Sequence, residues 1–204
     1  MSVQHMVYIV DDDPGIRKSL SWMMEQEGLL FSAYQSAEAF LEHAGSAGAA
    51  CLILDMCLPD MNGLELLKVM KSRPELCMPA IAFSGFGTVA TAVETMKLGV
   101  RDFLEKPVQP EVLLEKVRES LAADVERRLR DACKADVKNR VALLTDRERQ
   151  VLNLICEGKS TKEIAATLDI STKTVSIHRW HLMRKMQAGS ATEVVSLAYR
   201  ARAA

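Results

Sequence analysis

The sequence predicts an α/β fold, a doubly wound five-stranded parallel sheet, joined to a small all-α domain of four helices. Three observations carry that prediction. Short apolar runs alternate with amphipathic helical stretches as far as about residue 120, the pattern of a parallel sheet covered on both faces. Several runs stop abruptly at polar residues, most sharply in Val7-Tyr8-Ile9-Val10-Asp11-Asp12-Asp13. Beyond residue 143 the strand pattern ends, and S/T-x-x-E capping boxes recur at Thr145, Ser160 and Ser190.

Taken in order, residues 7–10 form the first strand, and Pro14-Gly15 opens a helix to about Glu27 with Ile16, Leu20 and Met23 inward. Gly28 ends it, Leu29–Ala33 is the second strand, and Ser36 caps a helix through Phe40 and Leu41. Residues 44–50, rich in Gly and Ala, read as a loop before the third strand, Cys51–Asp55. A turn at 59–63 leads to a helix with Leu64, Leu67 and Met70 inward. Pro79–Phe83 is the fourth strand and Thr88–Leu98 a helix with Val89, Val93 and Met96 inward. Asp102–Glu105 is the fifth strand, ending at Lys106-Pro107, and Pro110 or Glu111 begins a last helix. Leu113, Val117, Leu121, Val125, Leu129 and Cys133 recur every four residues along it. The stripe drifts from a 3.5-residue period and is crossed by charge, so a solvated linker helix is favoured over a coiled coil. The expected organisation is 1–122, a helical linker 123–142, and 143–204.

At 204 residues the chain is long enough for two cores. Its 49% hydrophobic and 26% charged residues exclude a disordered or fibrous chain. The net charge of −1 conceals an asymmetry: residues 1–121 hold 17 acidic and 10 basic side chains, residues 122–204 hold 10 and 16. An acidic half and a basic half imply different partners, nucleic acid being the candidate for the second. Five cysteines with no C-x-x-C pair argue against a disulfide framework or zinc site. No apolar run suits a signal peptide or membrane span, so a cytoplasmic protein without a membrane partner is expected.

Acids packed at a strand's C-terminal end lie where open α/β sheets bind ligands. Asp11, Asp12, Asp55, Ser84 and Lys106 all leave such ends and share one rim. Carboxylates in that number favour Mg²⁺, a hard cation that takes oxygen ligands. Lys106 is a point charge suited to a phosphoryl oxygen, and Ser84 a hydroxyl donor for another. Asp55, alone at the sheet centre, is the group to receive a phosphoryl. Asp13 reads as the cap of the helix opened by Pro14.

Val10-Asp11-Asp12, Asp55 with Leu58-Pro59-x-x-x-Gly63, Ser84-Gly85 and Lys106-Pro107 resemble, in order, the receiver domain of two-component response regulators, a flavodoxin-like fold. The resemblance implies that Asp55 accepts phosphate from a sensor histidine kinase. It also implies that Asp11, Asp12, Asp55 and the Cys57 backbone carbonyl hold Mg²⁺, and that Ser84 and Lys106 bind the phosphoryl group. Lys106-Pro107 is then expected to be cis and Phe103 to be the switch aromatic, although an aromatic on a strand is more often core. Cys57 and Phe86, two residues beyond Asp55 and Ser84, flank the site at positions that vary in the family and influence phosphate lifetime.

In the basic half, a helix burying Val151, Leu152 and Ile155 ends at Gly158. A second from Thr161 to Leu168 buries Ile164 and Leu168, and Asp169-Ile170-Ser171 is a tight turn into a third: a helix-turn-helix. Val175, His178, Leu182 and Met186 line the core face of the third helix, with His178 a packed structural residue. Lys173, Ser176, Ile177, Trp180 and Arg184 face outward. Exposed Ile177 and Trp180 fit contact with thymine methyls, and Lys162, Lys173, Thr174, Arg179 and Lys185 are placed for phosphates. Leu144-Thr145-x-Arg147-Glu148, Gly158-x-Ser160-x-Lys162-Glu163-Ile164-Ala165, Thr174-Val175 with His178, and Met183-x-Lys185-Met186 resemble the LuxR-type DNA-binding domain. The whole chain thus resembles the FixJ/NarL group. By that resemblance Ser176, Ile177 and Trp180 read bases, Trp180 replacing a residue that is often polar.

The expected function is transcriptional regulation switched by phosphorylation, not turnover of an external substrate. Phosphorylated Asp55 would shift the face built from residues 88–113, with Val93, Lys97, Arg101 and Asp102 as contacts of a homodimer on double-stranded promoter DNA. RNA polymerase is a further candidate partner. Two other classes compete. An Mg²⁺-dependent phosphatase would need a substrate pocket or second nucleophile that the sequence does not display. A ligand-regulated DNA binder would not need the complete acid, serine and lysine set.

Overall fold

Period-two alternation in β1 (His5–Val10) points Val7 and Ile9 to one core and Tyr8 and Val10 to another, and the first unit is built around that division. The structure is a computed structural model that describes residues 5–45, 48–85 and 89–202. After β1 come α1 (Pro14–Gln26), β2 (Leu30–Tyr34), α2 (Ala37–His43), β3 (Ala49–Asp55), α3 (Gly63–Ser72), β4 (Ala80–Ser84), α4 (Val89–Lys97), β5 (Asp102–Glu105) and α5 (Pro110–Ala142). The five strands are parallel in the order β2-β1-β3-β4-β5. The order reverses between β1 and β3, which puts the ligand crevice at their C-terminal ends.

On one face, Val7, Ile9, Cys51, Ile53, Ile81 and Phe83 pack with Leu20 and Met24 of α1 and with Leu113, Val117 and Leu121 of α5. On the other, Tyr8, Val10, Leu52, Leu54 and Ala82 pack with Phe40 of α2 and with Leu66, Leu67 and Met70 of α3. All seven residues of β3 are buried, as its central place requires. β3 begins at Ala49, so the expected loop is shorter than 44–50, because Ala49 and Ala50 pair with His5 and Met6 of β1.

Helix registers differ from expectation in three places. Met24 rather than Met23 is fully buried in α1, and Leu66 rather than Leu64 in α3. In α4, Val93 and Met96 are about half exposed while Thr95 is buried, its hydroxyl donating to the Thr91 carbonyl. The reading that placed Val93 and Met96 inward is corrected: the buried face turns on Thr95, a polar position that a search for apolar spacing passes over. The side chain of Val89 is not described, and Phe86 and residue 88 lie outside the described residues.

The chain divides into two compact units, Met1–Arg128 and Leu129–Ala204. The helical stripe along α5 also divides. Leu113, Val117 and Leu121 belong to the first unit's core, Leu129 and Cys133 are exposed, and Val137 belongs to the second unit's core. Thus the 123–142 stretch is helical, and it contributes side chains to both units.

In the second unit α6 (Asp146–Cys156), α7 (Thr161–Leu168), α8 (Thr172–Met186) and α9 (Ala191–Arg202) surround Val151, Leu152, Ile164, Val175, Leu182, Met186, Val194 and Ala198. Reciprocal capping boxes start α6 at Thr145/Glu148 and α7 at Ser160/Glu163. At α9 the box is open: Ser190 Oγ accepts from the Glu193 amide, while the Glu193 carboxylate accepts from Gly189 instead. Asp169, left-handed at φ 51°, turns the chain from α7 into α8, whose N-cap is Ser171.

Candidate functional site

β1 delivers Asp11 and Asp12, β3 delivers Asp55, β4 delivers Ser84, and the segment after β5 delivers Lys106 to one edge of the sheet. The Lys106 ammonium lies 2.7 Å from Asp11 Oδ2 and 2.7 Å from Asp55 Oδ2. Its amide donates to the Ser84 carbonyl at 2.8 Å, and its ammonium stands 4.9 Å from the Phe83 ring centre. Lys106-Pro107 is cis, as expected.

The loops around the acids are fixed locally. Asp13 caps α1, accepting from Gly15 and Ile16, which bears out its reading as the cap. Arg17 donates to the Asp11 carbonyl at 2.7 Å and holds the β1–α1 turn. Asp55 Oδ1 accepts from the Cys57 amide at 2.9 Å. A Cβ on Gly63 would meet Met56 Sδ at 2.7 Å and Met56 Cα at 2.9 Å, so glycine is what lets α3 begin against the residue after Asp55.

The electrostatics leave a surplus of negative charge. Burial pushes the Asp11 carboxyl above its ordinary value against the pull of Lys106 and the Asp13 amide, and Asp55 adds to the rise. Burial alone would lower Lys106, but Asp11 and Asp55 outweigh it and hold the ammonium above its ordinary value. Asp11, Asp12 and Asp55 each present a carboxylate oxygen, all within 4.8 Å of one another. Three hard oxygen donors facing one lysine fit a divalent cation. Phe103 is half-buried against the core shared with Leu66 and Val100, and Cys57 is exposed.

On α8, Ile177 and Trp180 are 48% and 54% exposed, with Lys173 and Ser176 also exposed, forming one outward face. Thr174 is half-buried, and its hydroxyl lies 2.8 Å from that of Ser171 at the helix start. Lys162 is exposed on α7. Arg179 is half-buried and lines a groove with Lys159, Ser160, Thr161 and Thr192. His178 is half-buried, between core and surface.

Lys185 does something the sequence did not disclose. Its ammonium bonds the buried Glu148 carboxylate of α6 at 2.7 Å, and His181 Nδ1 stands 4.0 Å from the same carboxylate. Arg140, near the end of α5, donates to the Met186 carbonyl at the C-terminus of α8. Asp124, fully buried on α5, accepts from the Ala50 amide and from Arg127 and Arg128. No motif marks Arg140 or Asp124. Only the helical register, seven residues on from Val117, places Asp124 inward.

Residues 7–118 match the family described as response regulator receiver domain, and residues 142–198 match the bacterial regulatory proteins of the luxR family. The chain belongs to the response-regulator family. Among relatives of this response regulator, FixJ of Azorhizobium caulinodans is 40% identical over 94% of this chain and 90% of its own length. FixJ of Rhizobium meliloti is 41% identical over 95% of each. Among solved structures, the response regulator StyR superposes with a TM-score of 0.87 at 31% identity, over 97% of this chain and 99% of that one. This FixJ-like response regulator is a phosphorylation-activated transcription regulator, not a turnover enzyme. Its receiver implies a histidine kinase partner and its LuxR-type domain implies DNA binding. Among the described residues no helix is long and apolar enough to cross a membrane.

Proposed function

We propose that Asp55 is the phosphoacceptor and that Lys106, within 2.7 Å of both Asp11 and Asp55, is the group that senses its modification. That paired contact is the observation that carries the reading. An Asp55 oxygen attacks the phosphorus of the kinase phosphohistidine; the new O–P bond replaces the N–P bond, and the histidine nitrogen leaves with its electron pair. Lys106 and Ser84 then bind phosphoryl oxygens. Asp11, Asp12, Asp55 and the Cys57 carbonyl would hold Mg²⁺, whose charge would offset that of the incoming group.

Ser84 and Phe103 shift toward the phosphoryl group and bias the 88–113 face between two states. Val93, Lys97 and Arg101 are exposed there, and Val112 adds a 37% exposed apolar group on α5, which suits a homodimer. Asp102 is half-buried and 3.2 Å from Lys116, so its part in that face is to hold α5. Two α8 helices then engage a two-fold promoter site. Ser176, Ile177 and Trp180 read bases, and Lys162, Lys173, Thr174 and Arg179 meet phosphates. Lys185, tied to Glu148, acts by fixing α8 rather than by neutralising a phosphate. The setting is the cytoplasm, with RNA polymerase as the eventual partner.

Beryllofluoride with Mg²⁺ should raise dimer content by light scattering and tighten DNA binding, and Asp55→Asn should abolish both responses. An unchanged response in Asp55→Asn rejects the assignment.

A further inference from the structure

Arg184 differs from the basic side chains that the folded chain has already engaged. Arg17, Arg118, Arg127, Arg128, Arg140, Arg147 and Lys185 all donate to carboxylates, carbonyls or a side-chain amide. Arg184 is exposed, and its guanidinium has no ion pair or hydrogen bond among the described residues. What it has is a ring: its Cζ stands 4.8 Å from the centre of the Trp180 ring. A cation over an aromatic face is attracted to it, and the guanidinium N–H groups stay open to a further partner. Trp180 also contacts the His181 ring, with ring centres 5.0 Å apart at a tilt of 54°.

The pair lies where bases are within reach. Ser176, Ile177, Trp180 and Arg184 fall within about 100° of one helix face at 3.6 residues per turn, and span about 12 Å at 1.5 Å per residue. That span is about the width of the DNA major groove. A planar guanidinium with an open edge matches the O6 and N7 acceptors of guanine, while the apolar Trp180 ring edge suits an adjacent thymine methyl.

We infer that Trp180 and Arg184 act as one reading unit, in which Trp180 holds Arg184 in plane to select a guanine in each half-site. The inference rests on α8 being the reading helix. The stack leaves the guanidinium without the free rotation of an unrestrained arginine, so less entropy is lost when it bonds a base.

The test is selection of bound duplexes from a randomised pool by the beryllofluoride-activated full chain, followed by titration of single-base variants of the enriched site. The wild-type site should contain a guanine whose replacement weakens binding about ten-fold or more, in line with a bidentate contact. Arg184→Ala and Arg184→Lys should both erase that preference while leaving the other positions unchanged; the lysine keeps the charge and lacks the planar fork. Trp180→Phe should keep the guanine preference, and Trp180→Ala should weaken it. Uniform weakening by Arg184→Ala with a salt dependence flatter by about one ion, rescued by Arg184→Lys, would mean a phosphate contact and overturn the inference. An unchanged selected site in Arg184→Ala would also overturn it. Ile177→Ala separates the two readings: if it alters the selected site while Arg184→Ala does not, α8 reads DNA and only the stacked pair is rejected. If neither alters it, the reading helix itself is misassigned.

Discussion

Lys185 on α8 and Glu148 on α6 are joined by a 2.7 Å ion pair whose carboxylate is buried. Glu148 also closes the capping box of α6 through the Thr145 amide at 2.8 Å. One carboxylate therefore starts one helix and anchors another. Lys185→Ala leaves that carboxylate without its strongest donor and should destabilise the second unit by about 1–3 kcal/mol. Trp180 reports on this unit and Trp22 on the other, so denaturant unfolding followed by fluorescence in a Trp22→Phe background measures the change. Loss of DNA affinity with an unchanged unfolding midpoint would return Lys185 to the phosphate-contacting set.

The same pair sets an acid limit. Burial pushes the Glu148 carboxyl up, but Lys185 and Thr145 outweigh burial and hold it below the ordinary value of 4.5. A carboxyl depressed by folding contributes stability that is complete above its unfolded pKa and is lost as pH falls through its folded pKa. The second unit should thus hold its Glu148 contribution from neutral pH to about pH 4.5 and lose it below. Glu148→Gln should start less stable at pH 7 and show a shallower acid slope. Because His181 faces the same carboxylate, the comparison is made in a His181→Gln background.

The five strands and the helix-turn-helix were legible because apolar alternation and caps are local signals. So were Asp11, Asp55 and Lys106, since each closes a strand and strand ends of a parallel sheet converge. The pairing of Lys185 was not legible, for a physical reason: a basic residue on a recognition helix looks the same in sequence whether it faces a phosphate or a carboxylate 37 residues upstream. Apolar spacing along α4 points to Val93 and Met96, yet its inward position is Thr95, because a buried hydroxyl that bonds its own helix leaves no apolar signal.

At the acidic edge, Lys106→Ala removes the cation that two carboxylates share. The first unit should melt lower than wild type in metal-free buffer, and Mg²⁺ should raise its melting temperature by more than it raises that of wild type. Calorimetry with and without chelator measures both shifts. Equal Mg²⁺ gains in the two proteins would show that Lys106 does not offset the charge of these acids.

Asp124 offers a contrast between removing an acid and orphaning one. Asp124→Asn keeps a hydrogen-bonding side chain facing Ala50, Arg127 and Arg128. The double variant Arg127→Ala/Arg128→Ala leaves a buried carboxylate without its cations and should cost about 3–5 kcal/mol, the larger loss of the two. Limited proteolysis should cut the double variant fastest between residues 120 and 130. Equal protection in both would show that the pairing does not hold this part of α5.

The division of α5 bears on exchange of parts between relatives. A hybrid regulator that joins this receiver to another DNA-binding domain has a narrow window for its seam. A junction at 123 discards Asp124, and a junction at 142 leaves behind Val137, a core residue of the second unit, and Arg140, which donates to the Met186 carbonyl at the end of α8. Between Leu129 and Asp136 the side chains are exposed and belong to neither core, so a splice there, kept in helical phase, transfers each half with its own supports.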